Sequence, residues 1–279
     1  MSNSTTDHNY RLRAILVAST NAPGPHVFYQ DRWTDWVPFA FYIWIAQSQS
    51  RTVVIDTGFP LGPELETLQN NVRKLGEQST YREVVHAGAA LQSVGIELEH
   101  VTDVIVTSFV LHSTGGLMSF PNAKIHLSSR GWMDYWRPEL PHPFARNVFF
   151  TPDTVHWLID RWDSVNLLDN ESEPIPGIRT FWTGCHRRSS TAVSLSTELG
   201  RIVIFEPAFM FENIEQNIPI GGPEALDDWY RARDRARLEV REGGILLPQH
   251  DPALLERFPA GMIAPGESEL SDTGSSMGR

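Results

Sequence analysis

Three histidines and one glutamate stand where apolar segments of the sequence end, and these residue types bind metals or transfer protons. His112 follows VTDVIVTS, His186 follows IRTFWT with two residues between, Glu206 ends RIVIFE, and His250 follows GILLP after one glutamine. Residues at the strand ends of a packed sheet project into a shared cleft, so distant positions can converge there. Imidazole and carboxylate ligands together suit zinc, iron or manganese.

The same apolar segments predict the strands that would position these side chains. Period-two and β-branched patterns favour strands at residues 12–19, 37–46, 52–56, 101–108, 124–128, 164–168, 178–183, 191–196, 201–206 and 244–248. Helical spacing favours helices at residues 63–75, 82–94 and 223–241. Strands followed by helices, twice over, predict an α/β fold in which two sheets pack together with helices outside.

Length and composition are typical of one α/β domain, which we place at residues 1–264. The chain has 279 residues, and 41% of them are hydrophobic, enough for a substantial core. Residues 129–163 are rich in tryptophan and proline, and we interpret them as an insertion or lid. The tail at residues 265–279 is rich in glycine, serine and acids and is predicted to be disordered.

Charge and composition restrict the kinds of partner. The formal net charge of −11 disfavours nucleic acid and anionic membrane surfaces, because phosphates demand a basic face. No apolar run has membrane-spanning length, and the first residues lack the apolar core of a signal peptide. The single cysteine, Cys185, cannot form an intrachain disulfide and fits a reducing compartment. We therefore expect a cytoplasmic protein that binds a small molecule.

The order of these segments resembles the metallo-β-lactamase superfamily, and above all its N-acyl homoserine lactonase-type members. The matching pieces are VVIDTGF, VTDVIVTS followed by TGGL and FPNAKIHLS, HPF, TGCH, VIFEPA and LLPQHDP. The resemblance covers roughly residues 12–258 and implies a four-layer αβ/βα sandwich with the site at the edge between the two sheets. It also implies a lactone or another ester-like carbonyl compound as substrate, and it allows a homodimer.

The first metal-binding motif of that family, His-x-His-x-Asp-His followed by x-Gly-Gly, is altered in this chain. When the motif is aligned on the two glycines at 115–116, its first two histidine positions are Ser108 and Val110. Its aspartate position is His112, and its last histidine position is Ser113. Valine cannot coordinate a metal and neutral serine is a poor zinc ligand, so we do not expect a normal dinuclear centre.

The other ligand positions of the family keep residues that can coordinate. His186 and His250 stand at histidine positions, and Glu206 replaces the bridging aspartate. His112, Glu206 and His250 would form a three-ligand set for one zinc, iron or manganese ion, with His186 as a fourth ligand or proton shuttle. Without a metal, a hydrogen bond between His112 and Glu206 would satisfy both groups.

Further residues are expected around these ligands. Asp56, at the Asp-Thr-Gly position of the family, would orient a ligand from behind. Ser108 and Ser113 would lie beside the same ligands. Phe209 stands near a family tyrosine that holds substrate, and it has no hydroxyl. The residues predicted to line the substrate pocket are Phe209, His142, Trp132 and Trp136.

Three functions remain open on the sequence alone. The first is a hydrolase with at most one metal ion, which would activate a water and polarise the substrate carbonyl. The second is a metal-free enzyme in which a histidine paired with Glu206 serves as general base. The third is a non-catalytic protein that binds a ligand in the retained pocket. Metal content separates the first from the others, and turnover separates the second from the third.

Overall fold

Strands and short helices alternate along the two segments that this computed structural model describes, residues 9–138 and 148–266. The strands are β1 (Arg11–Pro23), β2 (Trp36–Gln47), β3 (Thr52–Ile55), β4 (Asp103–Ile105), β5 (Lys124–Ser128), β6 (Val165–Leu168), β7 (Glu171–Ile175), β8 (Ile178–Trp182), β9 (Thr191–Thr197), β10 (Gly200–Ile204), β11 (Ile245–Leu247) and β12 (Met262–Ala264). The α-helices are α1 (Gly24–Val27), α2 (Pro63–Val72), α3 (Ala87–Gln92), α4 (Leu111–Thr114), α5 (Ser129–Trp136), α6 (Pro152–Asp160), α7 (Phe211–Glu215), α8 (Leu226–Glu239) and α9 (Ala253–Arg257).

The strands form two mixed sheets. The first sheet has the order β12-β1-β2-β3-β4-β5-β6, and its strands β3 to β6 run parallel. The second has the order β11-β10-β9-β8-β7, antiparallel except for the pair β10 and β11. Because the carboxyl ends of neighbouring parallel strands meet at one edge of a sheet, the loops after β3 and β4 lie together, as do those after β10 and β11.

Both sheets are buried on both faces, which gives the molecule four layers. Between the sheets, one apolar cluster joins Trp44 and Ile55 of the first sheet to Val193, Leu195 and Ile204 of the second. Helices α2 and α3 pack on the outer face of the first sheet, and α8 packs on the outer face of the second. The order helix, sheet, sheet, helix confirms the architecture predicted from the sequence.

Two differences from the predicted elements have a physical reason. The helix predicted at residues 82–94 is shorter, because the residues before α3 pair with β1. Arg82 forms a bridge with Ser19, and the Val85 amide donates to the Val17 carbonyl at 2.8 Å. The patterns also missed β7, which contains a proline, and β12, which has three residues.

Part of the predicted insertion and most of the predicted tail lie outside the described residues. Within the insertion, α5 and α6 flank residues 139–147. The single domain predicted for residues 1–264 and the disorder predicted for residues 265–279 stay predictions. Of the helices in the described segments, none combines the length and apolar character needed to cross a bilayer.

Candidate active site at the edge of the two sheets

A cavity of about 210 Å³ lies where the loops after β4, β8, β10 and β11 come together. Four histidines line it: His26, His112, His186 and His250. The structure therefore brings together the three histidines that the sequence placed at strand ends and adds a fourth. The volume lies below the range of about 300–1,000 Å³ that is usual for drug-sized ligands, so the cavity suits a small one.

His186, which lines this cavity, forms a short hydrogen bond with Glu206. His186 Nδ1 lies 2.6 Å from Glu206 Oε1, and the two residues are 8% and 2% exposed. Burial and the charge of Arg187 lower the pKa of His186 well below its usual value. Burial raises the pKa of Glu206 to about 8. The Ser190 and Ser108 side chains, as hydrogen-bond donors, and the positive charge of Arg187 oppose this rise. Loss of one proton from the pair would leave the carboxylate accepting from Nδ1–H and the Nε2 lone pair free.

The second carboxylate oxygen of Glu206, Oε2, is buried without a hydrogen-bond partner among the described residues. A buried polar atom of this kind is uncommon in folded proteins, because leaving it unpaired costs about 1–3 kcal/mol or more. Such atoms are found where a water, an ion or a ligand group binds. The carboxylate therefore combines a fixed interaction with His186 and an unused acceptor.

His250 is held in one orientation by β2. Its Nδ1 lies 2.9 Å from the Ala40 carbonyl, and its ring stacks on Phe39 with 4.3 Å between centroids. A carbonyl oxygen can only accept, so Nδ1 carries the proton and Nε2 is the acceptor of the neutral ring. Burial lowers the pKa of His250 to about 3. The ring of His112 lies edge-on to it at 5.6 Å, and burial likewise lowers the pKa of His112.

The predicted three-ligand metal set does not form in the described part of the chain. No group of three or more histidine, cysteine, aspartate or glutamate side chains is arranged there to hold a metal ion. Glu206 pairs with His186 instead of the expected His112. The ring of Phe209 lies edge-on to His186 at 5.2 Å and to His250 at 5.3 Å. Catalytic zinc sites need about three converging protein ligands, and these side chains do not supply them.

Asp56 connects the two sheets behind the cavity. It follows β3 in a left-handed conformation with a φ of 58°. The Thr107 amide and hydroxyl donate to its carboxylate at 2.9 and 2.6 Å, and the Gln249 amide donates to the same carboxylate. Burial raises the pKa of Asp56 to about 7, although the Thr107 hydrogen bonds lower it. Because Gln249 precedes His250, this network can orient the histidine from behind.

The turn after β4 is fixed against the loop after β3. The Ser113 carbonyl accepts from the Thr57 amide at 2.8 Å and from the Thr57 hydroxyl at 2.7 Å. A Cβ at Gly115 would lie 2.1 Å from the Pro60 nitrogen, so only glycine permits this approach. Ser108 and Ser113 are buried, and neither lines the cavity.

The residues predicted for the substrate pocket have different locations. Phe209 lines the cavity. Trp132 and Trp136 belong to α5 and do not line it. Trp132 packs instead against Trp136 and Trp162, with ring centroids 5.8 and 5.4 Å away. His142 lies outside the described residues.

His26 and Arg187 are among the cavity residues that the sequence patterns did not indicate. His26 lies in α1, and its ring stacks on Phe209 at 6.0 Å. Burial lowers the pKa of His26 to about 4. His26 follows the end of β1 at Pro23, but the sequence patterns ended that strand at residue 19 and so did not place His26 at a strand end. Arg187 directly follows His186, and that adjacency was its only signal.

Comparison with solved structures decides the fold family. An N-acyl homoserine lactone hydrolase, solved with the product N-hexanoyl-L-homoserine at its catalytic metal centre, has 15% identity and a TM-score of 0.72. The match covers 90% of this chain and 98% of that chain. This protein has the metallo-β-lactamase fold. The resemblance predicted from the segment order is thereby confirmed, and at this identity it is a likeness of fold alone.

Two further structures of the metallo-β-lactamase fold show the range of the likeness. A probable metal-dependent hydrolase from Staphylococcus aureus has 15% identity and a TM-score of 0.70, over 88% of this chain and 90% of that chain. AidC, a dizinc quorum-quenching lactonase, has 13% identity and a TM-score of 0.62, over 93% of this chain and 96% of that chain. No family model and no curated protein matches the sequence.

Proposed function

We propose that this protein is a hydrolase of a lactone or another ester-like carbonyl compound, with His186 and Glu206 as its general base. The observation that supports this is the 2.6 Å hydrogen bond between Glu206 and His186, which lines the cavity. A carboxylate that accepts from Nδ1–H fixes the orientation of an imidazole and leaves Nε2 ready to accept a proton. Positioned general bases contribute about 10²–10⁴ in rate.

The chemical step is the addition of water to a carbonyl carbon. His186 Nε2 takes a proton from the attacking water, and the oxygen of that water forms the new bond to carbon. The tetrahedral intermediate then collapses, and the proton passes from His186 to the departing alkoxide. In a lactone that alkoxide stays attached and becomes a hydroxyl group. Glu206 holds the ring throughout and stabilises the imidazolium between the two proton transfers.

A hydrolase with one metal ion is the second candidate. The metal would bind His112, Glu206 and His250 and would polarise the substrate carbonyl. The unpartnered Glu206 Oε2 favours this candidate, as do the names of two structures with the same fold. The described side chains do not converge on one ion, however. We therefore assign the proton transfers to His186.

The test measures hydrolysis of short lactones and aryl esters before and after chelation, together with bound zinc, iron and manganese. We expect turnover that chelation leaves unchanged, metal well below one equivalent, and a loss of about 10²–10⁴ in kcat for His186→Gln. His112→Ala is the matched control, because it removes a metal ligand of the second candidate and spares the base.

Each other outcome identifies a different function. Stoichiometric metal that is lost in His112→Ala, with turnover abolished by chelation, would replace the first candidate by the second. Binding of lactones without any turnover, in protein that melts cooperatively, would contradict both and identify a ligand-binding protein.

A further inference from the structure

The proposed reaction needs a hydrogen-bond donor at the carbonyl oxygen, because the addition of water places negative charge there. The His186 ring cannot be this donor while it takes the proton of the water. His250 donates its Nδ1 proton to the Ala40 carbonyl, so its other ring nitrogen, Nε2, is an acceptor. Two further imidazoles line the cavity, those of His26 and His112, and either has the chemistry of a donor.

Of these two imidazoles, His26 shares an aromatic neighbour with the base. The ring centroid of Phe209 lies 6.0 Å from that of His26 and 5.2 Å from that of His186. The ring of His112 packs against that of Phe41, with 4.9 Å between centroids. A small carbonyl group that binds against Phe209 can therefore contact both His26 and the base.

The ring of His26 is partly buried and has no hydrogen-bond partner among the described residues. His186 and His250 differ in this respect, because each uses Nδ1 in a hydrogen bond within the protein. Burial lowers the pKa of His26 to about 4, so its ring is neutral near pH 7. A neutral imidazole has one N–H donor and one acceptor. His26 therefore has a donor that a ligand can use without breaking an existing hydrogen bond.

The backbone around His26 is fixed, although its ring has no partner. The Gly221 amide donates to the His26 carbonyl at 3.1 Å, and a Cβ at Gly221 would lie 1.6 Å from a carbonyl oxygen of α1. The buried Asn213 side chain donates to the Val27 carbonyl at 3.0 Å and accepts from the Phe209 amide at 3.2 Å. One side chain thus links α1 to the loop of Phe209. A donor on such a fixed backbone needs little rearrangement when charge develops on the ligand.

We propose that His26 is a further catalytic residue, whose ring N–H donates a hydrogen bond to the substrate carbonyl oxygen as that oxygen becomes negative. This role deepens the proposed function and rests on it. When the water oxygen bonds to carbon, the π electron pair of the carbonyl moves to its oxygen, which accepts from His26. When the intermediate collapses, that pair re-forms the carbonyl, the bond to the alkoxide breaks, and His186 protonates the alkoxide. His26 keeps its own proton throughout.

The turnover test measures kcat and KM on methyl butanoate for His26→Phe, which keeps an aromatic ring and has no donor. We expect kcat to fall by about 10²–10³ with KM within about threefold, because the donor acts on the transition state. His26→Gln keeps an N–H donor and should recover about tenfold of that loss. The matched control is His156→Phe, an exposed position of α6 outside the cavity wall, and its kcat should stay within about twofold. An unchanged kcat in His26→Phe, or a change in KM alone, overturns the proposal.

The binding test is calorimetric titration with methyl propylphosphonate, whose tetrahedral anionic group mimics the intermediate formed from methyl butanoate. In His26→Phe its affinity should fall by about the same factor as kcat/KM, and in His156→Phe it should not change. Unchanged affinity in His26→Phe overturns the proposal. If the wild type hydrolyses no ester or lactone while phosphonate binding still depends on His26, the proposed function fails and the donor site stands. If His26→Phe does not melt cooperatively, His26→Ala replaces it in both tests with the same expected losses.

Discussion

Two buried histidine–carboxylate pairs in this protein have opposite surroundings. The first joins β4 to β5: His126 Nε2 donates to Asp103 Oδ1 at 2.9 Å. Asn166 on β6 donates to His126 Nδ1 at 3.0 Å, and Arg51 donates to Asp103 Oδ2 at 2.9 Å. Both ring nitrogens and both carboxylate oxygens of this pair therefore have partners, three in the first sheet and one, Arg51, in the turn before β3.

The second pair, His186 and Glu206, adjoins the cavity and leaves one carboxylate oxygen without a partner. The difference appears in the acidity of the two carboxyls. Burial raises the pKa of Asp103, but hydrogen bonds from His126 and Thr102 outweigh it, and the net effect is a lowered pKa. Burial raises the pKa of Glu206 to about 8, because its weaker partners do not outweigh the loss of solvent. A pair with all partners supplied can only hold the fold, whereas a pair with an open acceptor can also act on a ligand.

The largest expected effect separates the two pairs by activity. Glu206→Gln removes the carboxylate that orients His186, and we expect kcat to fall by about 10²–10⁴. Asp103→Asn keeps the shape of the other pair, and kcat per folded molecule should stay within about twofold of wild type. Steady-state kinetics on any ester that is turned over, corrected for folded fraction, makes the comparison. Equal losses in the two variants would remove the functional distinction.

The next effect separates the pairs by stability. Asp103→Ala leaves the buried His126 and the partly exposed Arg51 without their carboxylate, and a buried polar group that loses its hydrogen-bond partner costs about 1–3 kcal/mol. Urea unfolding followed by circular dichroism measures this change in the free energy of unfolding. Glu173→Ala is the control, because Glu173 forms an ion pair with Arg179 at the surface, where such pairs contribute about 1 kcal/mol or less. An effect of Asp103→Ala no larger than the control would contradict the structural role.

The smallest expected effect concerns the pH dependence of the free energy of unfolding, which should rise with pH and then fall. The four cavity histidines have lowered pKa values, so the unfolded chain binds more protons below about pH 6.5 and stability rises with pH up to there. Asp56 and Glu206 have pKa values raised from 3.8 and 4.5 to about 7 and about 8. For these carboxyls the folded chain binds more protons, so their contribution to stability falls as pH rises from about 4 to about 8.

The melting temperature should therefore pass through a maximum near pH 6.5, and differential scanning calorimetry at fixed ionic strength measures it. Glu206→Gln removes one of the two carboxyls, so it should flatten the decline between pH 6.5 and 8. If the melting temperature falls as steeply between pH 6.5 and 8 in Glu206→Gln as in the wild type, the Glu206 carboxyl is charged throughout that range.

The parts of the molecule that could be predicted from sequence have local signals. Strand β5 has the predicted bounds, because KIHLS is apolar and β-branched at the right positions. The positions of His112, His186 and His250 followed from the strands before them. The expectation that the altered motif holds no dinuclear centre depends only on the chemistry of serine and valine, and it stays a prediction.

The parts that could not be predicted depend on contacts between distant segments. Pairing with β1 shortened a helix that its own spacing favoured. Glu206 had two histidines within reach in the predicted site, and only the three-dimensional path of the loop before β9 selects His186 over His112. His26 reaches the cavity from a four-residue helix, and no pattern in its neighbours indicates a site.

The hydrogen bonds of Asp56 have a consequence for how the molecule opens. The Thr107 amide, in the loop after β4 of the first sheet, and the Gln249 side chain, after β11 of the second, both donate to this one carboxylate. Separating the sheets at the cavity edge would therefore remove the Gln249 donor and leave the Asp56 carboxylate with its Thr107 donors alone. Local fluctuations there should be suppressed, and the Thr107 amide should exchange its hydrogen with solvent only in rare, sub-global openings that release both halves together.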